Sequence, residues 1–304
     1  MTQRADVLVA LEPNEEAAHI WRSADQFASQ AWPDATINRQ ALSVVSPIVE
    51  VYTDMNFTPL ASHSSEWSQE LLRTQGAELV RLLQSVDADL DAETQVSVVE
   101  GYPAACISEM AATKDLVVMG LHNRSGIRRM LGSTTHSVLN QCDRDLLAIH
   151  PDSSHPDGYA RILLCVDSTS MAQHVIEQSI PLLSRAVDYQ VLCAIPPINS
   201  IYTSVYGDFG LGSDYAAIEQ ELVAHAQRRV ESLLNEAGLD AGKTTATRGD
   251  PIDTITQAAS TQNSDLIVMG ANQRSALNRL LLGSTCRGVL QATPTDVLVM
   301  RFPA

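Results

Sequence analysis

The chain has 304 residues, 45% of them hydrophobic, and a formal net charge of -16. At roughly 100 to 200 residues per domain this length predicts two domains, and no apolar run approaches the roughly 18 residues of a membrane span. An acidic surface repels nucleic acid, and the N-terminus turns acidic before a signal-peptide core could form, so the expectation is a cytoplasmic protein that binds neither membrane nor nucleic acid.

In chain order, the apolar run from Val7 ends in an acid at Glu12, as a first strand running into a turn does. A helical stretch follows, then a strand at Ala41 to Ile48, a long loop, a helix over Leu71 to Leu83, and a third strand that runs out at Val99 to Pro103. "KDLVVMGLHNRSGIRRMLGST", Lys114 to Thr134, reads as strand, loop and helix start, and "DLLAIH", Asp145 to His150, as the last strand. "HPDSSHPDGYA", His150 to Ala160, reads as a polar linker. The same order then repeats near an offset of 150. Ile162 to Ala172 answers Val7 to Ala17, Val191 to Ile198 answers Ala41 to Ile48, Thr247 to Pro251 answers Val99 to Pro103, and Ser264 to Thr285 answers Lys114 to Thr134. Short apolar strands alternating with helices predict an α/β protein of two tandem open five-stranded parallel-sheet domains, 1-150 and 159-304.

Open α/β sheets bind ligands at the carboxyl ends of their strands. The turns after the two first strands, "LEPNEEA" and "VDSTSMA", contain no glycine, so a dinucleotide fingerprint is excluded, and no Walker A loop occurs. Phosphate chemistry falls instead on the repeated phrase. Gly120 and Gly270 end strands, where a missing Cβ lets backbone N-H groups approach a ligand. Gly132-Ser133-Thr134 and Gly283-Ser284-Thr285 open helices, where free N-H groups, hydroxyls and the helix dipole favour an anion; an ordinary Ser/Thr N-cap explains the same residues. Arg124, Arg128 and Arg129 stand in the first phrase, and Arg274, Arg279 and Arg287 in or just after the second. No acid lies between Gly120 and Cys142 or between Gly270 and Thr295.

The pattern G-x2-G-x9-G-[ST] after "DLIVMG", with a strand-terminal acid and a G-x-P before the third helix, resembles the universal stress proteins over both halves. The resemblance implies an adenine nucleotide alpha hydrolase-like fold, and ATP or AMP, with or without Mg2+, as ligand. It implies Asp167, Ala194, Gly270, Gln273, Arg274, Gly283, Ser284 and Thr285 as site residues in the second half, and Glu12, Val44, Gly120, Asn123, Gly132 and Ser133 in the first. Both copies lack the motif's second glycine, at Asn123 and Gln273. The first copy also has eight residues rather than nine before its last glycine, and Glu12 for Asp, so the second half is the better nucleotide site. The resemblance also implies pairing through final strands: the halves are expected to form a pseudo-two-fold pair across Leu146 to Ile149 and Val297 to Val299, with a further homodimer allowed.

The functional expectation is a stress-response regulatory protein that binds an adenine nucleotide. The alternative is a scaffold with vestigial sites, and a third reading is slow ATP hydrolysis. No Ser-His-Asp set, H-E-x-x-H helix or G-x-S-x-G elbow appears, so a dedicated enzyme and a protein metal site are not expected. The five cysteines are scattered without C-x-x-C and are expected to be reduced and mostly buried. The loop Pro196 to Tyr215, with Tyr202, Tyr206, Phe209 and Tyr215, reads either as a partner surface or as a loop packed on its own domain.

Overall fold

The structure is a computed structural model and describes residues 3-47, 64-121, 132-167, 169, 171-197, 215-271 and 283-302. The chain falls into two compact units, Met1-Gly158 and, from Tyr159 onward, a second that ends at Ala304.

In the first unit the described elements are β1 (Gln3-Ala10), α1 (Ala17-Ala31), β2 (Ala35-Val45), α2 (Ser64-Gln84), the single turn α3 (Ala92-Gln95), β3 (Val96-Glu100), α4 (Pro103-Ala111), β4 (Leu116-Gly120), α5 (Ser133-Gln141) and β5 (Asp145-Ile149). The second unit has β6 (Arg161-Cys165), α6 (Met171-Leu183), β7 (Asp188-Ile195), α7 (Tyr215-Glu236), β8 (Thr244-Arg248), α8 (Pro251-Thr261), β9 (Leu266-Gly270), α9 (Ser284-Ala292) and β10 (Asp296-Met300). α2 starts earlier than the apolar periodicity of Leu71 to Leu83 announces, because its first turn, Ser64-Ser65-Glu66, carries polar residues that a core-facing pattern does not register.

The strands of each unit are parallel, in the order β3-β2-β1-β4-β5 in the first and β8-β7-β6-β9-β10 in the second. Sheets covered on both faces need strands apolar on both faces, and Leu116-Gly120, Leu146-Ile149 and Leu266-Met269 are buried throughout. α1 covers its sheet with Ile20, Trp21, Ala24, Phe27, Ala28 and Ala31, a helical three-four spacing. The Trp21 indole N-H donates to Asp87 at 2.9 Å, and Arg39 lies over the Trp21 ring at 4.4 Å while pairing with Asp87 and Asp25.

The stretch His150 to Ala160 departs from a free polar linker. His150 and Tyr159 at its ends are buried, and the Tyr159 hydroxyl donates to Asp296 at 2.9 Å. Burial and the neighbouring carboxylates hold the Tyr159 phenol well above its ordinary pKa, so it keeps the proton it donates.

Candidate functional site

The strand order places one switch point in each unit, between β1 and β4 and between β6 and β9, where the chain stops adding strands on one side and starts on the other. The crevice outside the carboxyl ends of such a pair is the ligand position of an open α/β sheet. Register brings the expected residues there: Ala10 pairs with Leu42 and Met119, and Cys165 with Leu192 and Met269, so Glu12 and Asp167 leave the sheet beside Gly120 and Gly270.

The first turn of the second unit is locally fixed. Asp167 Oδ1 accepts from the Thr169 N-H at 3.0 Å and from its hydroxyl at 2.6 Å, and Thr169 Oγ1 in turn accepts from the Met171 N-H at the start of α6. The Asp167 carboxylate is thereby held near β7: burial first, and then that charge, push the Cys193 thiol up to about 11. In the first unit Asn14 takes the part of Thr169, accepting from the Glu16 N-H at 2.9 Å.

Opposite this turn lies a helix start. Gly132 and Gly283 are themselves the N-caps of α5 and α9, with no side-chain cap hydrogen bond, so Ser133-Thr134 and Ser284-Thr285 form the first helical positions. Ser133-Thr134 and Ser284-Thr285 are therefore not the N-caps, and the glycine that caps each nine-residue helix has no side chain to accept from its first N-H groups. Each helix is tied to the neighbouring strand end by its third residue. Thr135 Oγ1 donates to the Gly120 carbonyl and the Cys286 thiol to the Gly270 carbonyl, both at 3.4 Å. Neither Thr135 nor Cys286 is singled out by the motif. Their signal is the third helical position after Gly-[ST]-Thr.

The strand-end glycines are closely packed. A Cβ on Gly120 would stand 2.8 Å from Ile20 Cδ1, and one on Gly270 2.9 Å from Val175 Cγ2 and 3.2 Å from Phe302 Cζ. The space left by the absent side chain is filled by α1 and α6, which lie that close to the sheet because no side chain intervenes.

Glu12, Val44, Gly120 and Thr134 border a common cavity of about 60 Å³, together with Ala10, Leu42, Ile107 and Thr135. At the matching positions the second unit carries Asp167 for Glu12 and Ala194 for Val44, both shorter, against Cys165 for Ala10, which is longer. Cavities of about 370 and 460 Å³ in the second unit flank β8, one bordered by Thr245, Thr254 and Gln257, the other by Val223, Gln227 and Ala246. Asn123, Gln273, Arg274 and the arginines 124, 128, 129 and 279 lie outside the described residues, as does nearly all of the Pro196 to Tyr215 loop. Cys142, Cys165, Cys193 and Cys286 are buried and Cys106 is partly so, all as free thiols.

Two units of five parallel strands in one order, each with a glycine-capped helix start at its switch point, define a duplicated α/β domain. The model of the universal stress protein family matches residues 5-150 and 158-301, and the chain belongs to that family. It is 23% identical over 290 residues to universal stress protein Rv2005c of Mycobacterium tuberculosis, covering 92% of this chain and 94% of that one. It is 26% identical over 152 residues to universal stress protein Sll1388 of Synechocystis, covering 47% of this chain and 99% of the relative, as a duplication against a single copy does. A solved universal stress protein from Archaeoglobus fulgidus superimposes with a TM-score of 0.60 at 16% identity over 99% of this chain and 97% of that one, which is a likeness of fold.

Proposed function

We propose that this chain is a regulatory protein of the stress response whose second unit binds an adenine nucleotide, ATP or AMP, and that it is not a dedicated enzyme. The observation that carries the reading is the start of α9: a glycine N-cap, which offers no side-chain acceptor of its own to the first N-H groups, and hydroxyls at Ser284 and Thr285, across the switch point from the fixed Asp167 carboxylate. Phosphate suits the N-H groups and the dipole of the helix. A carboxylate oriented through one oxygen keeps the other for a hydroxyl or amino donor of the nucleoside.

The residues fit such a group better in the second unit than in the first. Asp167 and Ala194 are shorter than Glu12 and Val44, which border the first-unit cavity, and the Glu12 turn adds Glu15 and Glu16 where phosphate would meet like charge. If Mg2+ accompanies the nucleotide, the Ser284 and Thr285 hydroxyls supply oxygen donors of the kind it takes. The chain supplies binding and orientation. Turnover is expected to be absent or slow, since the sequence carries no recognised catalytic motif. Nucleic acid and membrane are not expected partners of a chain of charge -16, and no described helix is long and apolar enough to cross a membrane.

The test is to heat-denature the protein as purified, identify released small molecules by mass spectrometry, and follow thermal unfolding with added Mg-ATP and Mg-AMP. Adenine nucleotide near one equivalent per chain, or a shift of several degrees at a ligand concentration of about 100 Kd, supports the reading. No nucleotide and no shift would leave a scaffold with vestigial sites.

A further inference from the structure

The two units treat the outer edge of their sheets differently. β3 and β8 are the outermost strands, and an edge strand presents N-H and C=O groups that the sheet itself leaves unpaired. In the second unit that edge is capped. The Gln227 side chain, projecting from α7, donates to the Thr244 carbonyl at 3.1 Å and accepts from the Ala246 N-H at 2.6 Å. One amide side chain thus gives β8 the two hydrogen bonds that a neighbouring strand would give.

The matching position of α2 in the first unit is Gly76. The buried pairs Leu79 and Leu83, and Val230 and Leu234, fix that alignment, and Ser68 reaching Glu100 at 3.3 Å repeats the Glu219 to Arg248 contact. The Gly101 N-H donates to the Val45 carbonyl, which turns the odd-numbered peptide groups of β3 toward β2 and the groups of Val96 and Val98 outward. Among the described residues neither the Val96 carbonyl nor the Val98 N-H has a hydrogen-bond partner. A Cβ on Gly76 would sit 3.5 Å from Val98 Cγ2, an ordinary contact, so the helix passes close enough to cap this edge and carries no side chain to do it.

The surroundings of the open edge are apolar and acidic. Trp67 at 52% exposure, Leu71 at 36% and Tyr102 at 59% are the exposed large hydrophobic residues of the described first unit, and they belong to the helix packed on β3 and the turn that follows it. Glu100, which accepts from Ser68, ends the strand, and Glu70 is exposed on α2 at 4.0 Å from the likewise exposed Arg73.

We infer that the outer edge of β3 is a strand-addition site for an extended, alternating apolar and basic peptide segment of another protein, and that Gly76 keeps it open. Main-chain bonds to Val96 and Val98 would supply affinity, and the apolar side chains at Trp67, Leu71 and Tyr102, with the two glutamates, would supply selectivity. A second copy of this chain is disfavoured as occupant because each carries a charge of -16.

The test uses the full chain and an array of heptapeptides alternating Val, Ile or Tyr with Lys or Arg. Matched arrays carry Glu in place of the basic residues, or a central proline that removes a backbone donor. Basic peptides are expected to bind and to slow hydrogen exchange of the segment containing Val98, while the acidic and proline arrays do not. Gly76→Gln replaces a helix-interior glycine with a better helix former, so it should fold at least as well, and it should weaken binding by about tenfold or more. Gln227→Gly should add a second binding equivalent at β8. Failure of every basic peptide, or equal binding by Gly76→Gln, overturns the inference. So does a dimer in sedimentation that Gly76→Gln abolishes, since the edge would then belong to a second copy.

Discussion

Gly283 sits at φ -60° and ψ 151°, and Gly132 at φ -55° and ψ 145°, conformations open to any L-residue. A valine at either position therefore introduces no forced backbone strain, and its effect reports the space in front of the helix. If phosphate lies against the start of α9, Gly283→Val should lower nucleotide affinity by about tenfold or more, on the order of 1.4 kcal/mol, while Gly132→Val changes it little. Calorimetric titration of both variants with Mg-ATP checks this. Equal losses would contradict the asymmetry between the halves, and no loss from either would remove the helix start from the site.

At the scale of elements, contacts between neighbouring segments hold the strand edges in register. Lys243, in the single 3-10 turn Ala241-Lys243 before β8, bonds Asp188 at the start of β7 and lies over the Tyr189 ring at 4.4 Å. The Lys243 hydrogen bond is the main cause that holds the Asp188 carboxyl below its ordinary value. A folded pKa depressed in this way stabilises above the unfolded value of about 3.9, and the contribution fades as pH falls through the lower folded value. The pair is exposed, so its effect is small. Lys243→Met should lower the urea midpoint by a constant amount from neutral pH down to about 5, and the difference should narrow below about 3.9 toward the part due to the ring contact. A difference independent of pH would mean that the ion pair contributes nothing.

At the scale of the whole molecule, duplication makes the encounter of two related domains intramolecular, at effective concentrations on the order of millimolar for a short linker. The last strands of the halves, "DLLAIH" and "DVLVMR", are apolar in sequence, and an apolar edge left unpaired is an association hazard. Fragments 1-152 and 157-304, expressed separately and mixed, are accordingly expected to associate at micromolar concentration. Sedimentation velocity on the mixture is the check, and two fragments that stay monomeric together would sink the expectation.

The sequence alone determined the duplication, the alternation of short apolar strands with helices, and the position of Glu12, Asp167 and the Gly-Ser-Thr turns at strand and helix ends, because period, breakers and repeats are local properties of the chain. It did not determine what the glycines are for. Whether Gly120 and Gly270 admit a ligand or a helix depends on how closely Ile20, Val175 and Phe302 approach, and those residues come from other elements. Nor could it tell Gly76 from any other helix-interior glycine. Only the packing of α2 on β3, set beside Gln227 on β8, makes that glycine an uncapped edge, since the hydrogen bonds of a sheet margin join groups far apart in sequence. The size of the first-half crevice was likewise decided in three dimensions, by Glu12, Val44 and Ile107 meeting from three different elements around about 60 Å³.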